Sequence, residues 1–258
     1  ACGAFVFFGG IGRIAAVTEK MVPLMALLYV IGGLFVVLSN ADQIIPAFKM
    51  IFVGAFDPSA ATGGIIGAGV KEAIRYGVAR GLFSNEAGMG STPHAHAVAK
   101  VQYPAQQGLM GIVSVFIDTF VVLNMTALVI FVTGALDGTT TGIALTQKAF
   151  STGLGAFGIK FVAICLLFFA FSTIVGWYFF GEQNVKAMFG HKAVKVYAAI
   201  VVICIVIGSA LHVDLVWNLS DLFNSLMVIP NVLGLWALSG VAKELYADWK
   251  SQKPAKVK

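Results

Sequence analysis

The stretch Gly81-Leu82-Phe83-Ser84-Asn85-Glu86-Ala87-Gly88-Met89-Gly90-Ser91-Thr92-Pro93 decides how this chain is read. Three glycines and a proline within thirteen residues disfavour a regular helix. Ser84, Asn85, Glu86, Ser91 and Thr92 add hydrogen-bonding groups that hydrocarbon penalises. Broken, polar backbone at membrane depth is tolerated only where protein buries it or a water-filled cavity meets it. The stretch therefore reads as a binding site in an interrupted membrane helix, with an ordinary surface loop between two spans as the competing reading.

The rest of the chain supplies the membrane context. Of 258 residues, 59% are hydrophobic and 11% charged, and the mean hydropathy is +0.89, far more apolar than a soluble domain of this length requires. An all-α integral membrane protein is expected. The net charge of +5 sits in connecting segments and at the C-terminus, which fits membrane topology and not nucleic-acid binding. Cys2, Cys165 and Cys204 are widely spaced among apolar residues and form no metal or redox motif.

Working outward from the stretch, the segment before it carries Lys71, Glu72, Arg75 and Arg80 at helical spacing. Cations at mid-membrane cost about 2.5–3.5 kcal/mol each on insertion scales, so this helix faces a bundle interior or an interface. Glu72 and Arg75 stand three apart and are placed to pair. Upstream, Met21–Ser39 is a clean span, and Ile44–Phe56 is too short to cross and reads as an interfacial or re-entrant helix. Downstream spans are expected over Gly108–Gly134, Gly158–Phe180, Val194–Leu211 and Trp217–Val241, the last broken midway at Pro230 and Asn231. Ala135–Phe157 reads as a folded external loop, Gly181–Lys195 as a polar connection, and Lys243–Lys258 as a disordered basic tail. The opening Ala1–Phe8 reads as the end of a transmembrane helix whose beginning is missing. On this reading residues 1–258 form one transmembrane domain, a fragment lacking N-terminal helices and not expected to transport alone.

Lysine and arginine placement sets an orientation. If residues 63–100 cross the membrane once, Arg13, Lys20, Lys100, Lys186, Lys192, Lys195 and five tail lysines fall on one side, against Lys49, Lys148 and Lys160 on the other. By the positive-inside rule the first side, with the C-terminus, is cytoplasmic. The bias collapses if that segment is a surface loop, so the charges favour a broken crossing helix in a multi-pass protein of the plasma or inner membrane.

Chemistry-bearing residues are few. Asp118 lies about a third of the way into its span, and an intramembrane acid is a functional candidate by default, although proximity to an interface or bonding to neighbouring helices accounts for it equally. His94 and His96 fall on opposite helix faces and do not jointly bind a metal, so no transition-metal site is expected. Glu86 lacks a nucleophile or second carboxylate at useful spacing, which suits a coupling or gating residue better than an acid catalyst. No enzyme is expected. A channel would call for a ring of acids or a carbonyl filter repeated by symmetry, and neither is present.

Three separated runs resemble the alanine or glycine:cation symporter family, the sodium:alanine symporters. They are Ile74–Ser91, Ala170–Tyr178 and Asp214–Asp221, and the resemblance covers essentially the whole chain, as the C-terminal half of a family member. Thr92 and His94-Ala95-His96 stand where small apolar residues are common in the family. The resemblance implies an inverted-repeat amino-acid transporter fold whose fifth to tenth core helices are present, the sixth broken around residues 81–93. It implies sodium-coupled symport of a small neutral amino acid, alanine or glycine, by alternating access; proton coupling or sodium-independent transport of another small solute is the alternative. No cofactor is implied beyond Na+ as coupling ion, and the partners are the amino acid, Na+ and the bilayer, with oligomeric state open.

The resemblance also implies a site. Gly81, Phe83, Ser84 and Asn85 would meet the amino acid, although an Asn capping a helix break would look identical. Ser172 and Thr173, with the carbonyl of Phe169 one turn back, match the hydroxyl pair that holds sodium in this fold, against the alternative of back-bonding to the preceding turn. Trp177, one turn after Thr173, would wall the pocket against side chains larger than methyl, or simply pack in an apolar helix.

Overall fold

The structure is a computed structural model, and it describes Phe7, residues 10–56 and residues 66–251. The opening stub before Phe7, the polar stretch 57–65 and the last tail residues 252–258 lie outside it. All regular structure among the described residues is helical: α1 Gly10–Ser39, α2 Ile44–Phe56, α3 Ile66–Ser84, α4 Thr92–His96, α5 Pro104–Phe116, a π-helical segment Ile117–Leu123, α6 Asn124–Val132, α7 Gly142–Leu154, α8 Phe157–Phe189, α9 His191–Gly208 and α10 Val213–Ser251. Helices long and apolar enough to cross a bilayer lie within Ala16–Ser39, Pro104–Val132, Phe157–Phe189, His191–Gly208 and Val213–Ser251. The first four match the uninterrupted spans expected from hydropathy, the fifth covers the span expected to break at Pro230, and together they describe a multi-pass membrane protein.

The chain divides into two compact units. In the unit formed by Ala1–Gly81 and Ile117–Gly176, one apolar cluster joins Tyr29, Val36 and Val37 of α1, Ala47 of α2, Met125, Val129 and Val132 of α6, Ala149 and Phe150 of α7, and Phe161, Val162 and Cys165 of α8. Glycine allows the close approach: a Cβ at Gly32 would strike the ring of Phe161, and one at Gly33 the side chain of Met125. Tyr29 is edge-on to Phe169, with ring centroids 5.6 Å apart. Its hydroxyl lies 2.6 Å from Thr126 Oγ1. Thr126 spends its own proton on the carbonyl of Val122 at 3.0 Å, so Tyr29 is the donor.

The other unit comprises Leu82–Phe116 and Trp177–Lys258. Here Tyr178 of α8 stacks on Tyr197 of α9 at 5.4 Å, and Gly181 gives the Tyr197 hydroxyl its room. The first turns of α5 and the end of α10 enclose an apolar cleft of about 330 Å³ lined by Gly108, Ile112, Leu245 and Tyr246 among others. Helix α10 buries none of its residues. Its exposed Trp236, Leu233 and Leu238 make a surface suited to hydrocarbon or to further protein.

Several sequence expectations are corrected. Residues 135–157 hold a helix, α7, not a loop, because Ala149 and Phe150 give it a face that is fully buried. The polar segment 181–195 is helical apart from Gly190 (φ 78°): α8 runs on to Phe189, and only glycine adopts that backbone without strain. Pro230 does not break the last span, since α10 continues through it, and the basic segment from Lys243 is helical as far as Ser251. The Glu72 side chain, and with it the expected Glu72–Arg75 pair, lies outside the described residues; Arg75 stands over the ring of Tyr76 at 5.6 Å.

Candidate functional site

The interruption in the decisive stretch is present. Helix α3 stops at Ser84, residues 85–91 form a turn, and α4 restarts at Thr92 with Pro93 in its first turn. The restart is a short helix, Thr92–His96, and not a second half-span. The stop has a definite geometry. Ala87 N–H donates to the Leu82 carbonyl at 2.9 Å and Glu86 N–H to the Phe83 carbonyl at 3.1 Å, the paired bonds of a Schellman termination. That motif needs a left-handed residue at its pivot, ordinarily glycine, and here the pivot is Glu86 with φ 50°. Gly88 (φ 75°) and Gly90 (φ 79°) follow in the same half of backbone space. Between them, Met89 N–H reaches the Glu86 carbonyl at 3.4 Å. The N–H groups of Gly88 and Gly90 have no protein acceptor among the described residues.

The turn closes on a buried serine. Ser91, 1% exposed, donates its hydroxyl proton to Glu86 Oε2 at 2.7 Å. That bond holds the carboxylate back against the turn it starts from. Two steps on, His94 Nδ1 lies 2.9 Å from the Ser91 carbonyl and must donate to it, while the ring faces Phe180 at 6.0 Å. His96 Nδ1 accepts from Gln107 Nε2 of α5 at 2.9 Å. The two histidines thus take separate partners, and no group of three or more metal-ligating side chains is present among the described residues.

The remaining candidates fall as follows. Gly81 lies inside α3 with open space at its Cβ position. Phe83 meets Trp217 of α10 edge-on at 5.8 Å. Ser84 is exposed and Asn85 half-buried. Trp177 is half-buried and T-shaped against Phe180, one turn along α8, at 5.9 Å. In the other unit, Ser172 is buried and donates to the Phe169 carbonyl at 2.9 Å and toward the Met25 sulfur at 3.4 Å, so the back-bonding alternative is the arrangement seen. Its lone pairs remain free to meet a cation, and the Phe169 carbonyl stands beside it. Thr173, next in sequence, is exposed. Asp118 is half-buried on the π-helical segment, whose wider turn Asn124 steadies by donating to the Thr119 carbonyl at 2.8 Å.

One contact was missed in the sequence. Asn231 of α10 donates through Nδ2 to the Gly88 carbonyl at 2.9 Å, joining residues 143 apart. An amide set in an apolar helix directly after a proline is the signal the sequence offers for it.

Residues 1–258 match the sodium:alanine symporter family. The sodium/alanine symporter AgcS of Methanococcus maripaludis is 43% identical over 92% of this chain and 52% of its own length. An uncharacterized transporter of Haemophilus influenzae is 41% identical over 95% of this chain and 54% of its own. The probable sodium/glutamine symporter GlnT of Bacillus subtilis is 40% identical over 97% of this chain and 52% of its own. The chain spans about half the length of these curated relatives.

Proposed function

The chain belongs to the sodium:alanine symporter family, a family of transporters and not of enzymes, and from that premise we propose that it forms part of a symporter carrying alanine or glycine with Na+. The observation that carries this reading is the interrupted helix. Three left-handed residues leave the N–H groups of Gly88 and Gly90 without an acceptor among the described residues, beside a half-buried carboxylate. An amino acid brings both an anionic and a cationic end, and such a turn offers donors and an acceptor within a few residues.

Roles follow from chemistry. Backbone around Gly81, Phe83, Ser84 and Asn85 meets the amino acid, and Trp177 limits the side chain it accepts. Phe169, Ser172 and Thr173 supply neutral oxygens to Na+, strong enough to dehydrate it and weak enough to release it. Glu86 and Asp118 couple the ion to the motion, within the inverted-repeat fold that the family resemblance implies. The C-terminus faces the cytoplasm, the orientation that the lysine distribution favours when residues 63–100 cross the membrane once. Relatives named for alanine and for glutamine support a neutral amino acid as the substrate.

The test is uptake of labelled alanine, glycine and glutamine into liposomes carrying the protein from its complete reading frame, with and without an inward Na+ gradient. Sodium-driven accumulation of alanine or glycine, lost in Thr173→Ala, is expected. Accumulation that follows a proton gradient instead would transfer the coupling role to Glu86. Trp177→Ala is expected to admit glutamine-sized substrates, and unchanged selectivity would remove it from the pocket.

A further inference from the structure

The turn after α3 has few bonds of its own, which raises the question of what fixes it. Glu86, Gly88 and Gly90 all have positive φ, so no regular ladder spans the turn. The Ser91–Glu86 bond closes it from within. The second tether comes from far along the chain. Asn231 Nδ2 bonds the Gly88 carbonyl at 2.9 Å, and a Cβ added at Gly90 would lie 3.0 Å from Asn231 Cγ and Oδ1. The amide therefore covers the backbone from Gly88 to Gly90. Glycine is favoured at position 90 on two separate grounds, its φ of 79° and the amide packed against it.

The setting of Asn231 is unusual for an amide. Its neighbours in α10 are Ile229, Pro230, Val232 and Leu233, and a polar side chain on an apolar helix is costly unless bonded. Pro230 lacks an N–H, so the Leu226 carbonyl loses its helical partner and α10 is most easily bent at that point. The weak point of α10 thus holds the weak point that follows α3.

We infer that Asn231 is a positioning residue for the interrupted segment: by taking the Gly88 carbonyl it anchors the Gly88–Met89 peptide, which lies between the peptides that carry the Gly88 and Gly90 N–H groups, and so restrains how those two groups are presented to the substrate. This rests on the reading of the turn as a substrate-contacting element. Because the amide orients groups that meet the substrate, its loss changes how tightly substrate is held more than how fast the carrier turns over.

The experiment uses the protein from its complete reading frame, reconstituted for uptake and purified for thermal unfolding. Asn231→Ala removes the amide. Asn231→Asp keeps its volume but, ionised, cannot donate to a carbonyl. In both, the half-saturating alanine concentration is expected to rise about fivefold, the factor for one ordinary net hydrogen bond, with the maximal rate within about twofold. In thermal unfolding, Gly90→Ala is expected to cost less in the Asn231→Ala background than alone, because the Cβ no longer meets the amide while the φ penalty is common to both. An unchanged half-saturating concentration, or a fall in maximal rate alone, overturns the inference. So do strictly additive shifts from Gly90→Ala and Asn231→Ala. If the unsubstituted protein shows no amino-acid uptake, the functional reading fails, and the thermal cycle decides whether Asn231 positions the turn.

Discussion

Two helix ends in this molecule are built alike and filled differently. At the end of α6, Ala135 N–H bonds the Ile130 carbonyl at 3.2 Å and Gly134 N–H the Phe131 carbonyl at 3.1 Å, with Gly134 at φ 62°. At the end of α3 the same pair of bonds turns on Glu86 at φ 50°. Glycine adopts that conformation freely, whereas a side chain there costs about 1–2 kcal/mol. Each turn also carries a carboxylate, and their surroundings differ in the same sense. Asp137, just past Gly134, collects Thr139 N–H at 2.9 Å, Thr140 N–H at 2.7 Å, Thr140 Oγ1 at 2.7 Å and Lys148 Nζ at 2.8 Å. Glu86 has one donor among the described residues, Ser91. A carboxylate accepts about four hydrogen bonds, so Asp137 is used up in holding its loop and Glu86 keeps capacity in reserve. Strain together with unspent acceptor capacity is the pattern of a site kept for a ligand or a moving part.

The comparison breaks most sharply at Glu86→Ala. Alanine keeps most of the left-handed strain and leaves the buried Ser91 hydroxyl without its acceptor, so a loss of about 1–3 kcal/mol is expected in denaturant or thermal unfolding, together with loss of sodium-driven uptake. Moving the acid to the other end, Gly134→Glu, adds strain with no serine to offset it and is expected to cost about 1–2 kcal/mol in the same assay while uptake per folded molecule is kept. Glu86→Gly separates the two effects. Relief of strain offsets the lost bond, so stability is expected to stay within about 1 kcal/mol of the unsubstituted protein while uptake falls. If uptake is kept, the Glu at this pivot serves only termination and the contrast with Gly134 disappears.

The smallest effect concerns Asp137 and pH. The Lys148 ammonium first, then the Thr140 and Thr139 donors, hold its carboxyl well below the usual carboxylate range. A depressed folded-state value contributes stability above the unfolded value, near 3.9, and that contribution is lost as pH falls below it. Lys148→Ala is therefore expected to lower the unfolding temperature slightly at neutral pH, where the contribution is present, and to leave it unchanged well below about pH 4, so that the acid limb flattens; the effect is small because the pair is exposed. An unaltered acid limb would show that the pair contributes nothing.

Some of this was legible in the chain and some was not. Hydropathy located the uninterrupted spans because each crosses hydrocarbon by itself and needs a continuous apolar run, as Met21–Ser39 does. The helix stop near Ser84 was legible in its glycines. The short restart was not, because nothing local says how far a helix will run after Pro93. Helix α7 reads as a loop since its threonines and glycines hide a face that only α1, α6 and α8 make worth burying. Pro230 reads as a break because local rules count the lost N–H, whereas α10 continues through it with one helical bond missing.

The sequence by itself determined the class of this protein, a multi-pass helical membrane protein of the sodium:alanine symporter family, together with the position of its interrupted helix. Those properties depend on composition, on runs of neighbouring residues and on motifs read in order. Only the tertiary structure decided that Glu86 closes on Ser91, that Ser172 bonds the Phe169 carbonyl while Thr173 lies exposed, and that Asn231 holds Gly88. The last of these joins residues 143 apart, and no local propensity records a partner that only the folded chain brings within hydrogen-bonding distance.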